Sequence, residues 1–131
     1  MQNRPDASTL LDAVAGFLMA EVAPKLEGDK ALQFRVMIAA NLATVVSGEL
    51  RTEDDRFAAE SARLSGIVGA NATLQSPRRD ERLAALTAMD AALTARIRAN
   101  GPDAATFEHL WQTAKETLKV VNPRFDVSEN P

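Results

Sequence analysis

The segment FRVMIAANLATVV, residues 34–46, is apolar on almost every side of a helix, with Arg35 near its start and Asn41 at its middle. A helix apolar along one stripe lies on a protein surface, whereas one apolar all round needs neighbours on every side. This segment therefore constrains the fold most: other helices must gather around it. No stretch shows sustained apolar/polar alternation, while apolar positions recur at intervals of three and four and alanine is abundant. The expectation is an all-α protein of about five helices in a compact bundle, with the second helix (about residues 29–50) central and buried.

Proline, glycine and capping residues divide the chain. Asp6 or Ser8 caps a first helix with the stripe Leu11, Val14, Leu18, Val22, limited by Pro24. The short link PKLEGD makes the first two helices an antiparallel hairpin. TEDD at 52–55 opens a third helix, with Thr52 and Asp55 as a shortened capping box and Phe57, Ser61, Leu64 and Val68 along its stripe. GANATLQS is a loop. Ser76-Pro77 starts a fourth helix with Leu83, Leu86, Leu93 and Ile97 on one face, ended by Gly101 and Pro102. Asp103 caps the fifth, whose inward stripe is predicted as Phe107, Leu110 or Trp111, Ala114, Leu118 and Val121. Residues 1–125 form one helical domain, and 126–131 a frayed tail.

The bulk properties narrow the function classes. A length of 131 residues suits one domain with a real core. A net charge of −3 argues against a general nucleic-acid binder, which needs a basic face. The chain has no cysteine, so disulfides, thiolate catalysis and cysteine-bound zinc are excluded. Asp12 interrupts the apolar N-terminal stretch, against a signal peptide. No unbroken apolar run approaches the ~18 residues of a membrane-spanning helix. The expectation is a cytoplasmic protein with no membrane or nucleic-acid partner.

No G-x-S-x-G, P-loop or G-x-G-x-x-G motif is present. His109 is the single histidine, so a multi-histidine metal site within one chain is impossible, and its spacing with Gln112 and Glu116 predicts a solvated face. The expectation is no metal, no cofactor and no catalytic residue. Arg78, Arg79 and Arg82, interleaved with Asp80 and Glu81, read as a solvated face or as a site for an anionic partner such as a phosphate or an acyl-CoA. Asn41 shares a side with Phe34, Ile38 and Val45; it is an amide bonded to a neighbouring helix or loop, a ligand contact, or simply exposed. Asp90 lies between Leu86 and Leu93 and is open to three readings: a wet stripe edge, an ion pair with Arg35, or a functional carboxylate. Candidate ligand-binding residues are Arg35, Asn41, Asp90, Arg98 and Arg124, with Arg96 as a further basic group.

RPDASTLLDAVAGFL, FRVMIAANLATVV, ARIRANG and VVNPRF resemble a bacterial domain family of uncharacterised function. The resemblance covers roughly residues 4–50 and 83–125. It implies a short helical protein, often encoded beside aminoglycoside-phosphotransferase-like kinases and acyl-CoA dehydrogenases, and it brings no catalytic residues. Two functions are then expected. The first is a non-enzymatic accessory protein that binds such a kinase or dehydrogenase, or itself, through an exposed apolar patch including Leu74, Val120 and Phe125. The second is a small helical module that binds acyl-CoA or another anionic ligand.

Overall fold

The computed structural model describes residues 4–125, with no strand among the described residues. The all-α expectation holds. Four α-helices follow in order: α1 (Ala7–Phe17), α2 (Lys30–Val68), α3 (Arg79–Asn100) and α4 (Ala104–Val121). The tail expected at 126–131 lies outside the described residues. Two compact units emerge, one from the residues up to Glu53 with those from Leu118 on, the other from Asp54–Thr117. α2 and α4 contribute to both.

The start signals at Asp6 and Asp103 work as the sequence predicts. At Ser76-Pro77 the helix begins later, at Arg79, with Arg78 in the cap position and no side-chain cap bond. Asp6 caps α1 by accepting from the Thr9 N–H at 2.7 Å, and the Ser8 hydroxyl donates to the same carboxylate. These bonds, the backbone N–H first, hold the Asp6 carboxyl down at about pKa 2. Asp29 accepts from the Leu32 N–H at 3.0 Å, and Asp103 from the Thr106 N–H at 2.8 Å. Gly101 ends α3 at φ +73°, where a Cβ would be strained, and its N–H still reaches the Ile97 carbonyl. Pro24 does not stop the first helix abruptly. Leu18–Val22 widens into a π-turn, in which the Ala23 N–H reaches back five residues to the Leu18 carbonyl, and Ala23–Leu26 then tightens into a 3₁₀ turn.

The cap on α1 carries a pH prediction. Asp6 titrates lower in the fold than in the open chain, so its stabilising effect is complete above about pH 4 and lost as pH falls toward 2. Asp6→Ala is therefore expected to lower stability at neutral pH and to flatten the acid limb between those values. Denaturant unfolding at each pH checks this.

The second and third helices expected from the sequence are one helix of 39 residues. TEDD carries a capping signature, but nothing there breaks a helix. The Thr52 hydroxyl turns back to donate to the Gly48 carbonyl at 2.8 Å, on a helix that runs on through it.

A second correction concerns α2 itself, which is not buried along residues 29–50. Its buried positions there are small, Ala40 and Ser47, while Phe34, Ile38, Leu42, Val46 and Leu50 are exposed. The hairpin interior is built from Ser8, Ala15, Ala23, Ala40 and Ser47. The Ser47 hydroxyl donates to the Ser8 carbonyl at 3.0 Å, and an exposed ion pair joins Arg51 to Asp12. Small residues let two backbones approach closely, and the large apolar side chains are left outside.

α4 is turned over in the same way. Its buried residues are Thr106, His109 and Val120, whereas Phe107, Leu110, Ala114 and Val121 are exposed and Trp111 and Leu118 are half-buried. Periodicity finds a stripe but does not say what the stripe faces. The unit Asp54–Thr117 has a conventional core of Leu64, Leu74, Ala85, Met89 and Leu93, backed by Phe57, Ile67, Val68, Leu86 and Ile97. Leu74, expected on an exposed patch, is in this core because Ala72–Gln75 forms a 3₁₀ turn that folds it inward. Val120, expected beside it, is also buried; Phe125 is exposed.

Candidate functional site

Polar groups gather where α2, α3 and α4 meet within Asp54–Thr117. Glu60 lies on α2 one turn from Leu64, Asp90 on α3 next to buried Met89, and His109 on the inward face of α4. One ligand atom from each of the three lies within 4.8 Å of the other two. Beside them, Arg63 makes a two-pronged bond to Glu116, with both oxygens at 2.9 Å, and a weaker one to the Thr113 hydroxyl at 3.3 Å.

The environment sets the charge states. Burial pushes the Glu60 carboxyl up, and nearby Asp90 adds to the shift. Burial also pushes His109 down, with Arg63 adding to the shift, while Asp90 and Glu116 pull the other way. The net effect favours the uncharged imidazole. Its Nδ1 is buried and makes no hydrogen bond among the described residues. An unpaired buried nitrogen of this kind costs about 1–3 kcal/mol.

His109 corrects the sequence reading, which sets it in solvent; it is 2% exposed. The error follows from the turned α4: the polar face of that helix is the inward one. Glu60 escapes a reading of the sequence, although it sits between Phe57 and Leu64 as Asp90 sits between Leu86 and Leu93. A carboxylate on a core stripe is the available signal in both cases.

The other candidate residues separate. Asn41 and Arg124 meet in a groove of about 570 Å³ lined also by Met19, Met37, Thr44 and Val121. Both are exposed, so Asn41 is not the buried tie between helices. Arg35 is exposed and has no ion pair among the described residues; Asp90 has Glu60 and His109 as neighbours in its place. Arg98 is exposed in the last turn of α3, where a cation suits the helix dipole. Arg96 bonds Asp103 and the Ile67 carbonyl. The basic group at the start of α3 is occupied by its own surroundings: Arg78 pairs with Asp80 and Glu81, and Arg82 lies near Asp54 and over the Phe57 ring.

The largest feature is apolar. Phe34, Ile38, Leu42, Val46 and Leu50 stand four residues apart along α2, all 42–64% exposed, and form one continuous ridge. Two stretches, Ala7–Leu26 and Lys30–Val68, contain 18-residue windows with mean hydropathy 1.3, long and apolar enough to cross a bilayer. Isolated charges such as Asp12 and Arg35 break these stretches, so a count of unbroken runs passes over them. Only 17% and 11% of the windows are buried, so a protein core does not account for their apolarity.

No curated protein and no solved structure matches the chain. A family model described as a domain of unknown function, DUF6285, matches residues 24–125. That span includes α2, α3, α4, the ridge and the Glu60–Asp90–His109 cluster, and the chain belongs to this DUF6285 family.

Proposed function

We propose that this chain is a non-enzymatic interaction protein that works through the outward apolar face of α2. The observation that carries the proposal is the ridge. Seven large apolar side chains of α2, from Leu32 to Leu50, are each 42–64% exposed. They present roughly 600 Å² of apolar surface, at the ceiling for a monomer's largest patch and close to the ~800 Å² a standard interface takes from each partner.

The ridge is self-complementary, so its first partner is a second copy of this chain. A two-fold axis through Leu42 sets residues equally far from 42 against each other. Phe34 then meets Leu50, Ile38 meets Val46, and Leu42 meets itself. The same operation puts Arg35 against Glu49, both exposed and both without an ion pair among the described residues. An isologous interface needs this self-match, with an apolar centre and a charged rim of opposite signs. The resemblance supplies the second partner, a phosphotransferase-like kinase or an acyl-CoA dehydrogenase.

Sedimentation of the full chain tests the self-pairing. A concentration-dependent monomer–dimer equilibrium without lipid supports it. A protein that stays monomeric in solution and floats with phospholipid vesicles would overturn it, and α1 and α2 would then be bilayer-facing. Co-purification from the native host tests the second partner.

The groove favours a second reading, an acyl-CoA site. It combines methionine and valine walls with Asn41 and Arg124, two of the residues expected to bind ligand. Its volume is in the usual range for a small-molecule site. The expected result is a rise in melting temperature with micromolar acyl-CoA that Arg124→Ala removes. An unchanged melting curve across chain lengths would end this reading.

A further inference from the structure

Glu60, Asp90 and His109 come from three different helices and converge on one point. Two carboxylates that close together repel, and a proton or a cation between them relieves that repulsion. Arg63, the cation beside them, has its two terminal nitrogens engaged by Glu116. The third member supplies an independent sign. His109 is almost wholly buried, one of its ring nitrogens lies within 4.8 Å of an oxygen of each carboxylate, and its Nδ1 has no hydrogen-bond partner among the described residues. A buried imidazole with an unpartnered nitrogen, close to two carboxylates, is a ligand group waiting for a partner.

We propose that Glu60, Asp90 and His109 form a binding site for a divalent transition metal, with zinc as the best fit. One imidazole nitrogen with two carboxylate oxygens is a borderline donor set, which suits zinc and disfavours magnesium or calcium. A tetrahedral zinc with bonds near 2.0–2.2 Å holds its ligand atoms about 3.3 Å apart, so the cluster closes by small side-chain rotations. Asp90 is exposed and free to make that movement, and Glu60 is half-buried. Charge supports the assignment: the carboxylates of Glu60, Asp90 and Glu116 outweigh the two cations that act on Glu60, Arg63 and Arg56. Three protein ligands leave a fourth position, on the Asp90 side, for water. The site does not involve the α2 ridge, so it stands or falls independently of the pairing.

The test uses the untagged full chain, stripped with chelator and titrated with zinc chloride alone. Calorimetry should show one zinc per chain, and magnesium should not compete. Asp90→Asn and Glu60→Gln should each weaken binding by about tenfold or more with the helical circular dichroism unchanged. Because His109 is the only histidine, its ring nitrogens give an unambiguous NMR signal, which zinc should shift. No binding, binding undiminished in both carboxylate variants, or an unmoved His109 signal would overturn the proposal and leave an adventitious ion only.

Discussion

Leu42→Asp is expected to abolish self-association. The two-fold axis passes this residue, so one substitution changes the interface twice. It removes a leucine–leucine contact at the centre and sets two carboxylates facing each other in apolar surroundings. Loss of a central anchor costs about 2 kcal/mol or more, and burying unpaired charge costs more, so the dissociation constant should rise by at least about a hundredfold. Leu42 is 58% exposed in the single chain, so the monomer should keep its fold and helical circular dichroism. Sedimentation of the variant gives the answer; a dimer that persists would place the contact elsewhere. A charge exchange separates register from general stickiness. Arg35→Glu and Glu49→Arg should each weaken the dimer, and the two together should restore it, because the axis pairs them.

Leu64→Ala is expected to be the most destabilising single truncation in Asp54–Thr117. Leu64 is fully buried against the core that includes Leu74, Met89 and Leu93. Removing its branched end takes away transfer energy and leaves a cavity that the surrounding helices close only in part. A loss of about 2–5 kcal/mol follows. Urea unfolding at one fixed protein concentration measures it, since pairing of chains makes apparent stability depend on concentration. A midpoint shift with an unchanged slope is the expected signature. Ile38→Ala provides the contrast: on the exposed ridge it leaves no cavity, and it should barely move the monomer's midpoint.

What is legible in the sequence is what is decided locally. Asp6, Asp29 and Asp103 act as caps within three residues of themselves, and Gly101 ends α3 through its own backbone. The stripe Phe57–Ser61–Leu64–Val68 also faces inward as its spacing predicts. What fails depends on distant neighbours. The α4 stripe is real but most of it faces solvent, with Trp111 and Leu118 half-buried, because direction is set by what packs against the other side. The same lack of distant information hides Glu60, which becomes notable only when α3 and α4 bring Asp90 and His109 to it. Thr52 shows the remaining kind of error: a capping pattern favours a helix start but does not stop a helix already running.

The hairpin of α1 and α2 has its small side chains inside and its large ones outside, and this sets a practical conflict for anyone handling the protein. The usual remedy for a poorly soluble chain is to replace exposed leucine, isoleucine and phenylalanine with lysine or glutamate. In this chain that remedy would erase Phe34, Ile38 and Leu42, the residues on which its proposed activity rests. Better behaviour in the tube and loss of biological purpose would arrive together, and a well-behaved redesigned version would be the wrong molecule to study.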